Sequence, residues 1–136
     1  MPLGSAIKSG DYTSVHTDNP VTPVNALRPV KTAILRKPRN KGHEIGKHEK
    51  LSTFDAFKTI TINPAWQFFE ENNIGSIEIG KFADLVILSD NPLIMDPENF
   101  DKIIIEETWL SGNKVNPTMY NWTNFKLLVQ SVWEMI

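Results

Sequence analysis

His16 and Asp18 stand two residues apart at the end of a short β-prone run, residues 12–17, and Pro20 and Pro23 follow at once. In a strand, residues i and i+2 point to one face, so the two side chains lean the same way. An imidazole and a carboxylate on one face are candidate metal ligands, and a carboxylate at a strand's C-terminal end can also take a proton from metal-bound water. Two ligands do not make a site, because catalytic zinc is usually held by three protein groups and a water. The prolines restrict the following loop and hold the carboxylate in place. On spacing alone the ordinary reading is favoured, a turn or helix-cap aspartate in an Asp-Asn-Pro setting.

The remaining chemistry-bearing residues are less pointed. His43 and His48 lie five apart in a polar stretch, share no helical face, and read as solvated loop histidines. Arg36, Lys37, Arg39, Lys41, Lys47 and Lys50 form a basic stretch, but Glu44 and Glu49 interrupt it and no aromatic residues interleave to stack bases. A solvated loop is the expectation there, with a mobile loop beside an active site as the other option and no nucleic-acid partner. No Gly-rich phosphate loop or nucleophile elbow is present. Without cysteines, disulfides, iron–sulfur clusters and thiolate zinc sites are excluded, which fits a reducing, cytoplasmic location.

The 136 residues fit one domain or part of a larger one, and 40% hydrophobic residues allow a real core. A net charge of −2 demands neither nucleic acid nor an anionic membrane. No apolar run approaches the ~20 residues that span a bilayer, and the first ten residues lack the apolar stretch of a secretory signal.

The elements that must position Asp18 follow from the pattern. Residues 2–8 read as the last turns of a helix that Gly10 stops. In residues 24–36, Ala26, Leu27, Val30, Ala33 and Ile34 fall at helical spacing, with Pro29 kinking the helix or sitting in its first turn, capped by Asn25 or its neighbour. Residues 37–50 read as an exposed loop. Ser52 caps a second helix with Asp55 three residues on, and Phe54, Phe57, Ile60 and Thr61 give it an apolar face. Pro64 begins a further helical segment. Phe54, Phe57, Trp66, Phe68 and Phe69 read as core or interface material. Beyond Gly75 the texture is antiparallel sheet: residues 76–79 alternate, residues 83–89 and 102–110 are strands, and Gly112-Asn113 is a turn. Trp122, Phe125, Leu128, Val129 and Val132 give the tail roughly helical spacing.

Four stretches, residues 2–36, 51–66, 75–92 and 107–115, come in the order seen in one family. "GSIEIGKFADLVIL" and "HTDNPVTP" carry most of the likeness. Together they resemble the C-terminal end of metal-dependent amidohydrolases of the amidohydrolase 3 (YtcJ-like) group. The resemblance implies an α/β fold: the C-terminal fragment of a (β/α)8 TIM barrel followed by part of a small composite β-sandwich. Residues 1–71 would be the last barrel strand and its helices, 72–115 the sandwich segment, and 116–136 a helical tail.

It also implies hydrolysis of non-peptide C–N bonds in a small amide or cyclic amide by a metal-activated water. Asp18 matches the aspartate that ends the final barrel strand, binds the divalent metal (zinc first) and acts as general base. The family's early His-x-His motif, its bridging lysine or acid and its two later histidines have no counterpart here, and a barrel takes ~250 residues. The expectation is therefore a segment that needs a missing N-terminal part or partner chain, binds no metal stably alone and is inactive alone. The alternative is a non-catalytic α/β interaction module or a subunit of a split enzyme.

Overall fold

Four short helices and a three-stranded sheet make up the computed structural model, which describes residues 1–38 and 43–116. The tail expected over 116–136 thus lies outside the described residues apart from Asn116. The helices are α1 (Leu3–Lys8), α2 (Leu27–Leu35), α3 (Thr53–Lys58) and α4 (Ile62–Gln67). The strands are β1 (Leu85–Leu88), β2 (Ile105–Leu110) and β3 (Asn113–Lys114), in the order β1-β2-β3 with both pairs antiparallel. Short 3-10 turns at Lys47–Glu49 and Pro97–Lys102 complete the chain.

Local signals place the helix starts. Asn25 Oδ1 accepts hydrogen bonds from the N–H groups of Leu27 (3.0 Å) and Arg28 (3.2 Å), and Pro29 sits in the first turn of α2, where its missing N–H costs nothing. Ser52 Oγ accepts from the Asp55 N–H at 3.1 Å, satisfying one orphan donor of α3. Leu27, Val30 and Ala33 of α2 are buried against Leu3, Leu51 and Ala56, and Phe100 and Ile103 close the same core from the β portion. Phe100 is the most deeply buried large side chain where the two portions meet. Its ring lies 6.3 Å from that of Phe57, and Lys31 and Lys37 pair with Asp101 and Glu98 around it.

The loop before α3 is not uniformly exposed. Glu49 is buried, and its carboxylate accepts from Ser5 N (2.7 Å) and Ser5 Oγ (2.5 Å), tying the loop to α1. The Ser5 hydroxyl, then the Ser5 N–H, hold the Glu49 carboxyl below the ordinary carboxylate range. A side chain on Gly4 would start 2.9 Å from Glu49 Cα, so the loop and helix approach as only glycine allows.

Several expectations require correction. Residues 12–17 form no strand ladder: the segment is extended, and its backbone-to-backbone bond to a distant part of the described chain is Val15 N–H to Thr59 O at 3.2 Å. A strand of this kind needs hydrogen-bonded neighbours, and no described strand lies beside it. Residues 76–79 are likewise not a strand; Ile77 and Ile79 are exposed. Strand β1 is shorter than the run 83–89, β2 starts at Ile105, and α4 begins at Ile62, ahead of Pro64. Of the aromatics expected as core or interface material, Phe57 packs on the core, while Phe54, Trp66, Phe68 and Phe69 are exposed.

Candidate functional site

Asp18 stands where the extended segment ends. It takes a left-handed backbone conformation (φ 54°), which aspartate tolerates better than most residues and which turns the chain sharply away. Its carbonyl accepts from Val21 N–H at 2.7 Å, and Thr22 Oγ1 donates back to Thr17 O, so a compact turn fixes the residue. The side chain is exposed, and among the described residues no hydrogen bond engages its carboxylate oxygens. It is a hard oxygen donor open to a cation or a water.

His16 does not join it as a second ligand. Asp18 N–H donates to His16 Nδ1 at 3.0 Å, so the neutral ring carries its proton on Nε2 and has no free lone pair to offer. The imidazole supports the turn instead. His16 and Thr17 line an open cavity of about 340 Å³ with Leu3, Val15, Arg28 and Arg36; Asp18 is not among its lining residues. His43 and His48 are exposed on the loop, as their spacing suggested, and His48 lies 3.4 Å from Glu49. Among the described residues no group of three or more His, Cys, Asp or Glu side chains is placed to hold a metal ion. A single exposed carboxylate at Asp18 falls short of the three protein ligands that a catalytic zinc usually takes.

Residues that the sequence did not single out hold the segment before Asp18. Asn63, buried on α4, donates Nδ2–H to Thr13 O at 2.8 Å. Gln67, one turn further, donates to Tyr12 O and accepts from Ser14 Oγ, each at 2.7 Å. The Tyr12 ring stacks on Trp66 with centroids 4.4 Å apart. A polar pair at i, i+4 in a helix otherwise poor in polar residues was the available signal.

The profile of the amidohydrolase family known as Amidohydro_3 matches residues 1–116, and the chain belongs to that family. It is 30% identical over 111 residues to the putative amidohydrolase YtcJ of Bacillus subtilis, covering 80% of this chain and 21% of that protein. Protein LONG AFTER FAR-RED 3 of Arabidopsis thaliana is 30% identical over 116 residues, covering 83% of this chain and 19% of that protein. N-substituted formamide deformylase of Arthrobacter pascens is 26% identical over 112 residues, covering 82% and 20%. The crystal structure of an amidohydrolase from Thermotoga maritima superposes with a TM-score of 0.58 at 29% identity, over 84% of this chain and 25% of that one. The chain thus spans about a fifth of the length of the curated relatives it matches. No helix among the described residues is long and apolar enough to cross a membrane.

Proposed function

We propose that this chain supplies the last strand and covering helices of a (β/α)8 barrel hydrolase that cleaves non-peptide C–N bonds in small amides or cyclic amides. In this reading Asp18 is both a metal ligand and the general base, and the enzyme works in the cytoplasm. The observation that supports it most is the setting of Asp18: an exposed carboxylate, free of hydrogen bonds among the described residues, at the end of an extended segment in a chain that matches the family through residue 116. N-substituted formamides are the first substrates to try, since one relative is named for acting on them.

A bound divalent metal, zinc first, would polarise the substrate carbonyl and bring a water's pKa toward 7. Asp18 would contribute one hard oxygen to its coordination. The same carboxylate would take a proton from the attacking water and return it to the leaving nitrogen. The turn at residues 18–22 would keep the carboxylate in place through both transfers. The other ligands would come from the part of the relatives' length that has no counterpart in this chain. The 136-residue chain alone is therefore expected to hold no metal stably and to hydrolyse no amide. Zinc-dependent amidase activity from the purified chain alone would overturn this reading.

A second reading has its own observation. Val86, Ile87, Ile105 and Leu110 of the sheet are exposed, as are Ile77, Ile79 and Phe82 before it. Unpaired edges and apolar faces of this kind bind other chains. An interaction module, or a subunit of a split enzyme, would tolerate Asp18→Asn and respond to substitution of Leu85 or Ile87. Measuring activity and partner binding for both variants separates the two readings.

A further inference from the structure

We propose that His16 and Thr22 are positioning residues that hold Asp18 in its left-handed backbone conformation and so aim its carboxylate; this rests on the reading of Asp18 given above. The contacts concerned join residues two and five apart and belong to the turn itself. Asp18 has φ 54°, outside the β region, so strand pairing ends there whichever strands lie beside residues 12–17. From that point the backbone needs partners of its own. His16 Nδ1 accepts the Asp18 N–H at 3.0 Å, the Asp18 carbonyl accepts the Val21 N–H at 2.7 Å, and the Thr22 hydroxyl donates to Thr17 O. The backbone is thus engaged on both sides of Asp18, while its carboxylate is left open.

An L-residue in the left-handed region is strained, and such residues persist where their surroundings over-determine them, often at active sites. Without the clamp, Asp18 would relax toward ordinary extended backbone, and its Cβ would swing and carry the carboxylate with it. Misplacing a reacting group by about 1 Å can cost on the order of 100-fold in rate. The imidazole acts as an acceptor two residues before its donor, the part that Asn or Asp plays in an Asx-turn. Asn Oδ1 stands the same number of bonds from Cα as His Nδ1. Asparagine can therefore take the place of His16 in this role, and leucine cannot.

His16 lies outside the buried core, so its replacement leaves the fold intact. Amide hydrogen exchange followed by NMR in the 136-residue chain reads the clamp directly. The Asp18 N–H should exchange about tenfold faster in His16→Leu and near the parent rate in His16→Asn, with Leu51 and Ala56 in the core unchanged. Thr22→Val should quicken exchange at Val21, and Thr22→Ser should restore it. Equal exchange at Asp18 in the parent, His16→Leu and His16→Asn chains, or a rise in His16→Leu that Leu51 and Ala56 share, would overturn the positioning role. In the complete zinc-loaded hydrolase containing this segment, His16→Leu should lower kcat about tenfold with KM and zinc content held, and His16→Asn should recover most of it. Loss of zinc in His16→Leu would make the imidazole a ligand and overturn the proposal, as would an unchanged kcat in an enzyme that Asp18→Asn inactivates. Full activity in Asp18→Asn sinks the catalytic reading of Asp18 instead, and the exchange rates still decide whether His16 holds the turn.

Discussion

Replacing Phe100 by alanine tests the packing that joins the helical and sheet portions. Phe100 is 2% exposed, the largest fully buried side chain among the described residues, and it packs against a core that includes Val30 (0%) and Ala33 (2%) of α2. Truncation removes the ring's transfer free energy and leaves a cavity that a rigid helix cannot fill, typically ~3–5 kcal/mol for Phe→Ala. Loss of the tilted contact with Phe57 at 6.3 Å is part of that cost, about 0.5–1.5 kcal/mol for an aromatic pair. A domain of this size has only about 5–15 kcal/mol in hand, so the variant should be severely destabilised. With a urea m-value of ~2 kcal/mol/M, the midpoint should fall by about 2 M. Phe54→Ala is the control: Phe54 is 60% exposed, lies against Lys58, and should cost less than about 1 kcal/mol. Urea titration by fluorescence and circular dichroism measures both. A Phe100→Ala midpoint within the error of the parent chain would show that Phe100 does not fasten the two portions and refute the reasoning.

Three further outcomes follow from local geometry. The Ser5 contacts depress the folded pKa of Glu49, so its contribution to stability is present above the unfolded carboxylate pKa and is lost as pH falls through the lower folded value. Glu49→Gln should therefore flatten the acid limb of stability measured against pH, and an unchanged limb would contradict this. Ser52→Ala removes the cap of α3 and should cost about 1 kcal/mol in denaturant titration. Gly75→Ala should destabilise by more than about 1 kcal/mol, because φ is +92° and the new Cβ would sit 2.8 Å from the Ala65 Cβ; thermal melting checks it.

What the sequence revealed was chiefly local. Asn25 and Ser52 cap helices through atoms two or three residues away, so composition and spacing were enough to place α2 and α3. Leu27, Val30 and Ala33 form the buried stripe that helical periodicity demands. Contacts between distant positions were not legible. Glu49 reaches Ser5 across 44 residues and Asn63 reaches Thr13 across 50, and nothing in either local pattern names the partner. The run 12–17 has strand propensity, yet a ladder depends on neighbours that propensity cannot supply. Phe54, Phe68 and Phe69 read as core or interface material and are exposed; periodicity marks an apolar face without saying what covers it. At the site, the His16–Asp18 spacing was visible, but the direction of the imidazole was not; the turn at Asp18 makes its own N–H the partner of His16.

The most direct test of the central claim is hydrolysis of N-substituted amides by the complete zinc-loaded protein carrying this segment, with and without Asp18→Asn, alongside metal content and thermal unfolding. Asp18 is exposed, so the substitution should leave folding intact. With the roles proposed for Asp18, losing the base should lower kcat by ~10²–10⁴-fold, and losing the ligand should lower bound metal as well. Full hydrolysis and full metal content in the Asp18→Asn protein would contradict the account.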